Sequence, residues 1–121
     1  MSSKVLIIDD SDQDRKIIKR YLNKCGYEDI VTANTGEEGV KLAKSQDPDL
    51  VITDTMMPGI DGFEVCKQIR EAKGPERPKI IVVTGAIDAI DAVKARKSGA
   101  NDYCAKTSDC VALIEAVKSL I

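Results

Sequence analysis

A chain of 121 residues can bury one good core and not two. With 43% hydrophobic and 31% charged residues it is neither disordered nor fibrous, and 18 Lys and Arg against 20 Asp and Glu, net charge −2, give no basic footprint for nucleic acid. Histidine is absent, which excludes Ser-His and Cys-His catalysis, histidine metal ligands and a phosphohistidine on this chain, so any chemistry rests on carboxylates, lysine and hydroxyls.

The first apolar run, Val5 to Ile8, is continuous rather than alternating, as in a strand covered on both faces of a parallel sheet. It stops at once in Asp9 and Asp10, as no signal peptide does, and no later window approaches a membrane span, so a cytoplasmic protein is expected. Asp12 to Lys24 reads as an amphipathic helix, with Ile17, Ile18, Tyr21, Leu22 and Cys25 on one side and Arg15, Lys16, Lys19 and Arg20 on the other. Ile30-Val31 is a brief strand, placed at an edge. Thr35 with Glu38 three residues on is a capping box, opening a helix to about Ser45.

Leu50 to Ile52 is the next buried strand. It delivers Asp54 to its carboxyl end, where Pro58-Gly59 turns the chain. Taken alone, Asp54 reads as a turn acid of the kind common after strands. Asp61 and Glu64 open a third helix with the stripe Phe63, Cys66 and Ile69. Ile80 to Val83 is a fourth strand. Ile87, Ile90 and Val93 mark a fourth helix, ended by Ser98-Gly99, and Tyr103-Cys104-Ala105 is a weaker fifth strand. Val111, Ile114, Val117 and Ile121 mark a fifth helix. Cys25, Cys66, Cys104 and Cys110 form no C-x-x-C pair and lie within apolar segments, which suits reduced structural thiols and argues against zinc.

Five strands alternating with five helices predict a doubly wound α/β sandwich with helices on both faces and a ligand-binding edge at the carboxyl ends of the strands. That edge would gather Asp9 and Asp10, Asp54, Thr84 and Lys106. Singly each has a bland reading: loop acids before the Ser11 cap, a turn acid, a strand end, a solvated lysine. Jointly they are hard to ascribe to chance. Two carboxylates about 4 Å apart repel by roughly 4 kcal/mol at an effective dielectric of about 20, so three together ask for a cation. An all-oxygen, accessible site suits Mg²⁺.

Five ordered motifs, Ile7-Ile8-Asp9-Asp10-Ser11, Asp54 through Gly62, Thr84-Gly85, Gly99 through Tyr103, and Lys106, together resemble the receiver domain of two-component response regulators, over essentially the whole chain. The resemblance implies a flavodoxin-like parallel sheet in the order 2-1-3-4-5. It implies that Asp54 is the phosphoacceptor, taking a phosphoryl group from a histidine kinase or a histidine phosphotransfer protein. Asp10, Asp54 and the backbone carbonyl of Met56 would ligate Mg²⁺, with Asp9 acting mainly through a bound water. Lys106 would pair with the phosphoryl oxygens, and Thr84 would hydrogen-bond one of them. Movement of Thr84 and Tyr103 would switch the face of the fourth helix, fifth strand and fifth helix toward a downstream effector protein. A single receiver domain over 1–121, without an output domain, without membrane or nucleic-acid contact and without catalysis beyond its own phosphorylation and dephosphorylation, is the expectation; a monomer is expected with it.

Three departures qualify the resemblance. Thr107 stands where most receivers have proline, and a cis bond before a non-proline residue costs about 2.5 to 4 kcal/mol, so Lys106-Thr107 is as readily trans as cis while Lys106 is still expected to reach the site. Met56 and Ala86, two residues beyond Asp54 and Thr84, cannot orient an attacking water, so slow autodephosphorylation is expected. Ala112, Leu113, Ala116 and Leu120 leave the fifth helix comparatively apolar, which a docking face or an ordinary core-facing helix would both explain. The competing readings are a receiver cut from a longer regulator, an aspartate-nucleophile phosphatase, which would want an acid where Met56 stands, and a flavin carrier, whose phosphate Asp9, Asp10 and Asp12 would repel.

Overall fold

The computed structural model describes residues 3–121. Strands and helices alternate throughout: β1 Val5–Ile8, α1 Asp12–Lys24, β2 Ile30–Ala33, α2 Gly36–Gln46, β3 Leu50–Asp54, α3 Gly62–Lys73, β4 Lys79–Thr84, α4 Ala89–Ser98, β5 Asp102–Ala105 and α5 Val111–Leu120. The strands form one parallel sheet in the order β2-β1-β3-β4-β5. The chain therefore reverses its winding after β2, and β1 and β3 lie side by side with their carboxyl ends at the same rim. Such a reversal point is where open α/β sheets take their ligands.

The continuous apolar runs are explained by two cores, one on each face. Successive residues of a strand point to opposite faces, so Leu6, Ile8, Val51, Ile80 and Val82 join Val65, Cys66 and Ile69 beneath α2, α3 and α4. Val5, Ile7, Leu50, Ile52, Ile81 and Val83 join Ile18, Leu22, Leu113 and Val117 beneath α1 and α5. Each large aliphatic side chain so buried contributes roughly 2 kcal/mol. Side-chain caps start four of the helices: Ser11, Thr35, Asp61 and Asp88 each accept a backbone N–H of the first turn.

The fourth helix forms where its apolar stripe marks it, Ala89–Ser98 with Gly99 as its cap, but that stripe is not its buried side. The stripe Ile87, Ile90 and Val93 does not face the core: the three side chains are 60%, 78% and 54% exposed, Ile87 precedes the helix, and Ala95 is the residue of α4 that is buried. On α5 the buried residues are Leu113, Ala116 and Val117, whereas Val111 is exposed. Leu113 and Ala116 are thus core-facing. Cys25 is exposed, unlike Cys66, Cys104 and Cys110, and all four thiols are free. Burial pushes the thiols of Cys66 and Cys104 up to about 12. The Lys106–Thr107 bond is trans; among the described residues the cis bond is Arg77–Pro78.

Candidate functional site

The carboxyl rim holds the residues that the sequence assembles there. Asp9 leaves β1 with its N–H on the Ala33 carbonyl at 3.1 Å, and its side chain is 1% exposed. One carboxylate oxygen accepts the Ser11 N–H at 2.9 Å, and the other accepts from Lys106 Nζ at 2.8 Å. Asp10 is exposed beside it. Asp54 ends β3, opposite Val83 of β4, and is 9% exposed. Its Oδ1 accepts the N–H of Thr55 at 2.9 Å, and Thr55 is in turn fixed because the same N–H lies 3.0 Å from the Val83 carbonyl. Both acids are aimed by short-range backbone bonds, so the rim is built before any ligand arrives.

Lys106 is the hub. Its backbone N–H donates to the Thr84 carbonyl at 2.6 Å, which brings it off β5 beside β4. Its ammonium reaches Asp9 at 2.8 Å, Asp14 at 2.9 Å and Asp54 at 3.2 Å. Burial works against that ammonium, but the hydrogen bonds to Asp9 and Asp14 and the charges of Asp9 and Asp54 outweigh it and hold the lysine above its ordinary range. Departure from proline at Thr107 therefore does not turn Lys106 away.

Thr84 and Tyr103 are placed less simply. The Thr84 hydroxyl donates to the Ala86 carbonyl at 3.1 Å and accepts the Ala86 N–H at 3.3 Å, so it closes its own turn rather than touching an acid. The ring of Tyr103 packs against the core beneath α4, and its hydroxyl is buried without a hydrogen-bond partner among the described residues. An unpaired buried hydroxyl costs about 1 to 3 kcal/mol. Met56 follows β3 with its side chain 77% exposed.

Three residues at the site had no role there assigned from the sequence. Asp14 sits in the first turn of α1, its N–H on Ser11 Oγ at 3.2 Å, and becomes the second partner of Lys106. Arg15, assigned to the solvent side of α1, instead donates from Nη1 to the Asp9 carbonyl at 2.6 Å. Gly62, the first residue of α3, has its N–H 3.0 Å from the Thr55 carbonyl, and a Cβ there would collide with the Asp54 carbonyl oxygen. For Asp14 the Ser-x-x-Asp spacing signals a helix start and not a partner for Lys106, because the Ser11 N–H that a capping box would give to Asp14 goes to Asp9 instead.

The donor set fits a hard divalent cation. Asp9, Asp10 and Asp54 each offer an oxygen, and these oxygens lie within 4.8 Å of one another. Three carboxylates, Asp9, Asp14 and Asp54, face the one ammonium of Lys106, and Asp10 adds a fourth acid beside them, so the carboxylates outnumber the ammonium at the rim. Mg²⁺ takes oxygen ligands and is commonly held by one or two carboxylates together with a phosphate oxygen.

Charge crowding also sets a pH dependence. Burial first, and the neighbouring charge of Asp9 second, raise the Asp54 carboxyl above the ordinary aspartate range, while Lys106 and the Thr55 N–H pull it down only in part. The folded state thus holds this proton more tightly than the unfolded chain, and stability falls as pH rises through the raised value. In metal-free buffer Asp54→Asn should melt higher than the parent at neutral pH, with the gap shrinking as pH falls into the ordinary aspartate range. A gap of constant size across the series of melts, or a parent that melts higher at neutral pH, would refute this account.

Comparison with known proteins agrees with the geometry. The family described as "Response regulator receiver domain" matches residues 5–118. Among curated proteins, the transcriptional regulatory protein AfsQ1 of Streptomyces coelicolor is 43% identical over 102 residues, 84% of this chain and 44% of its own. The alkaline phosphatase synthesis transcriptional regulatory protein PhoP of Bacillus subtilis is 38% identical over 88% of this chain and 43% of its own. The chain thus spans less than half the length of these two relatives. Among solved structures, the response regulator TrrA of Thermotoga maritima, in complex with Mg²⁺ and BeF, is 37% identical, with a TM-score of 0.88 over all of both chains. The Vibrio cholerae chemotaxis protein CheY4 is 26% identical, with a TM-score of 0.91 over all of both.

Proposed function

The chain belongs to the response regulator receiver domain family of two-component systems, and on that premise we propose that Asp54 accepts a phosphoryl group from the phosphohistidine of a histidine kinase or histidine phosphotransfer protein. Receiver domains are signalling domains rather than enzymes in the ordinary sense. The observation that carries the reading is the meeting of Asp54, Asp9 and Lys106 at one rim, from the ends of β3, β1 and β5.

In this reading a carboxylate oxygen of Asp54 attacks phosphorus, the N–P bond breaks, and the imidazole departs with that electron pair and takes a proton from solvent. The product is an acyl phosphate on Asp54. Phosphoryl transfer needs alignment and neutralised charge more than a proton-transfer residue, which suits a chain without histidine. Asp9, Asp10, Asp54 and the Met56 carbonyl would hold Mg²⁺, which when bound supplies charge neutralisation for the phosphoryl oxygens. The ammonium of Lys106 would bind one of those oxygens.

Switching would follow from the two side chains placed less simply. Thr84 gives up its turn bond to Ala86 for a phosphoryl oxygen, and Tyr103, whose buried hydroxyl has no hydrogen-bond partner among the described residues, has something to gain by moving. The face they border is rich in exposed apolar side chains: Ile87, Ile90 and Val93 around α4, and Val111 on α5. That is the composition of a protein-contact face, and a downstream effector would read it there.

The test is incubation with Mg²⁺ and a small acyl phosphate, followed by intact mass. One added phosphoryl group is expected, absent with chelator and absent in Asp54→Asn, whose folding the melts described above establish independently. Phosphorylation of Asp54→Asn to the parent level, or turnover of many phosphate esters, would overturn the assignment.

A further inference from the structure

An ammonium has three N–H donors, and Lys106 faces three carboxylates at 2.8, 2.9 and 3.2 Å: Asp9, Asp14 and Asp54. Two of the three belong to the trio whose oxygens converge within 4.8 Å, and Asp14 does not. A divalent cation that takes oxygens of Asp9 and Asp54 therefore competes with Lys106 for the same groups, and the two positive charges repel. Left with no other partner, the lysine would either hold the cation off or leave the rim. Asp14 is the one counter-ion of Lys106 that the cation does not claim.

The surroundings allow the lysine to use it. Asp14 is fixed at its backbone by the Ser11 cap, and its side chain is 33% exposed, so it has freedom to follow the ammonium. Behind the pair, between α1 and α5, lies a cavity of about 180 Å³ walled by Ile17, Ile18, Cys110 and Leu113. Asp14 and Lys106 both line this space, so the pair has room beside it.

We propose that Asp14 is a positioning residue that retains the Lys106 ammonium at the rim when a divalent cation takes Asp9 and Asp54, so that cation and ammonium occupy the site together. This rests on the reading of Asp9, Asp10 and Asp54 as a cation site. Its consequence is that the strength of Mg²⁺ binding depends on a carboxylate that does not touch the metal, and does so through Lys106.

The test is calorimetric titration of Mg²⁺ into the parent, Asp14→Asn, Lys106→Met and the double variant. Asp14→Asn should weaken binding about fivefold, Lys106→Met should tighten it, and adding Asp14→Asn to Lys106→Met should change the Kd by less than about twofold. A second readout is the NMR signal of the Lys106 ε-methylene. With Mg²⁺ present it should stay at its bound position in the parent and move to that of a solvated lysine in Asp14→Asn. An unchanged Kd in Asp14→Asn, or the same weakening with and without Lys106, would mean that Asp14 acts as a distant charge or not at all, and would overturn the proposal. Failure of the parent to bind Mg²⁺ would overturn the cation site itself; normal binding by the parent with no effect of Asp14→Asn would sink the role of Asp14 alone.

Discussion

Gly62→Ala should destabilise the fold by about 3 kcal/mol, the upper end of what an added methyl costs in a packed interior. Gly62 opens α3 directly against the end of β3. A Cβ at this position would run into the carbonyl oxygen of Asp54 and crowd the Cα of Thr55, both backbone atoms. Neither can yield cheaply, because the Thr55 N–H is held by β4 through the Val83 carbonyl and the Thr55 carbonyl accepts the Gly62 N–H. Relief would come from moving the start of α3 or the end of β3, and the second of these moves the acceptor carboxylate. Gly26→Ala is the control: Gly26 has a φ of 92° with nothing among the described residues within 4 Å of an added Cβ, so it should cost only the left-handed penalty of about 1 to 2 kcal/mol. Urea unfolding of the two variants with unchanged m-values would measure the difference. Equal midpoints would show that β3 and α3 have slack between them and that this glycine is not needed to seat Asp54.

The parts of the fold that were legible are those in which a local pattern has one structural outcome. Val5 to Ile8 and Ile80 to Val83 are apolar at every position, and only a strand with a core on each face buries them all. The rim followed from that, since parallel strands place Asp9, Asp54, Thr84 and Lys106 at their common ends whatever the loops do. The α4 stripe marked a helix that is there, but periodicity reports that a helix has an apolar face and not what covers it. α4 packs against α3 and β5 through small residues such as Ala95, and Ile90 and Val93 point away from the chain. Longer-range bonds left no trace in any window. The guanidinium of Arg70 donates to the carbonyls of Gly99 and Pro78 and to Asn101 Oδ1, tying α3 to the beginnings of β4 and β5. Asp14 belongs to the same class: its partner lies 92 residues away, and only the closed sheet brings it near.

Lys106→Met should cost the metal-free protein about 3 kcal/mol, and Mg²⁺ should return much of it. Removing one member of a buried ion pair costs about 3 to 5 kcal/mol because the other charge is left without a partner. Here three are left: the side chain of Asp9 is 1% exposed, that of Asp54 12%, and that of Asp14 33%. Asp14 can turn to water, which puts the cost at the lower end, but Asp9 and Asp54 cannot. The methionine keeps the bulk of the lysine stem, so the loss is electrostatic and not a cavity. A divalent cation occupies the same oxygens, and in the variant it no longer competes with an ammonium for them, so the stabilisation it adds, which grows with the ratio of free cation to Kd, exceeds that in the parent. Urea melts of both proteins with chelator and with Mg²⁺ decide the matter. The gap between parent and variant should be widest with chelator and should narrow as Mg²⁺ is raised. A gap indifferent to Mg²⁺ would mean that the cation does not bind the carboxylates that Lys106 holds, and would separate the lysine from the metal in a site where the proposed phosphoryl transfer needs both.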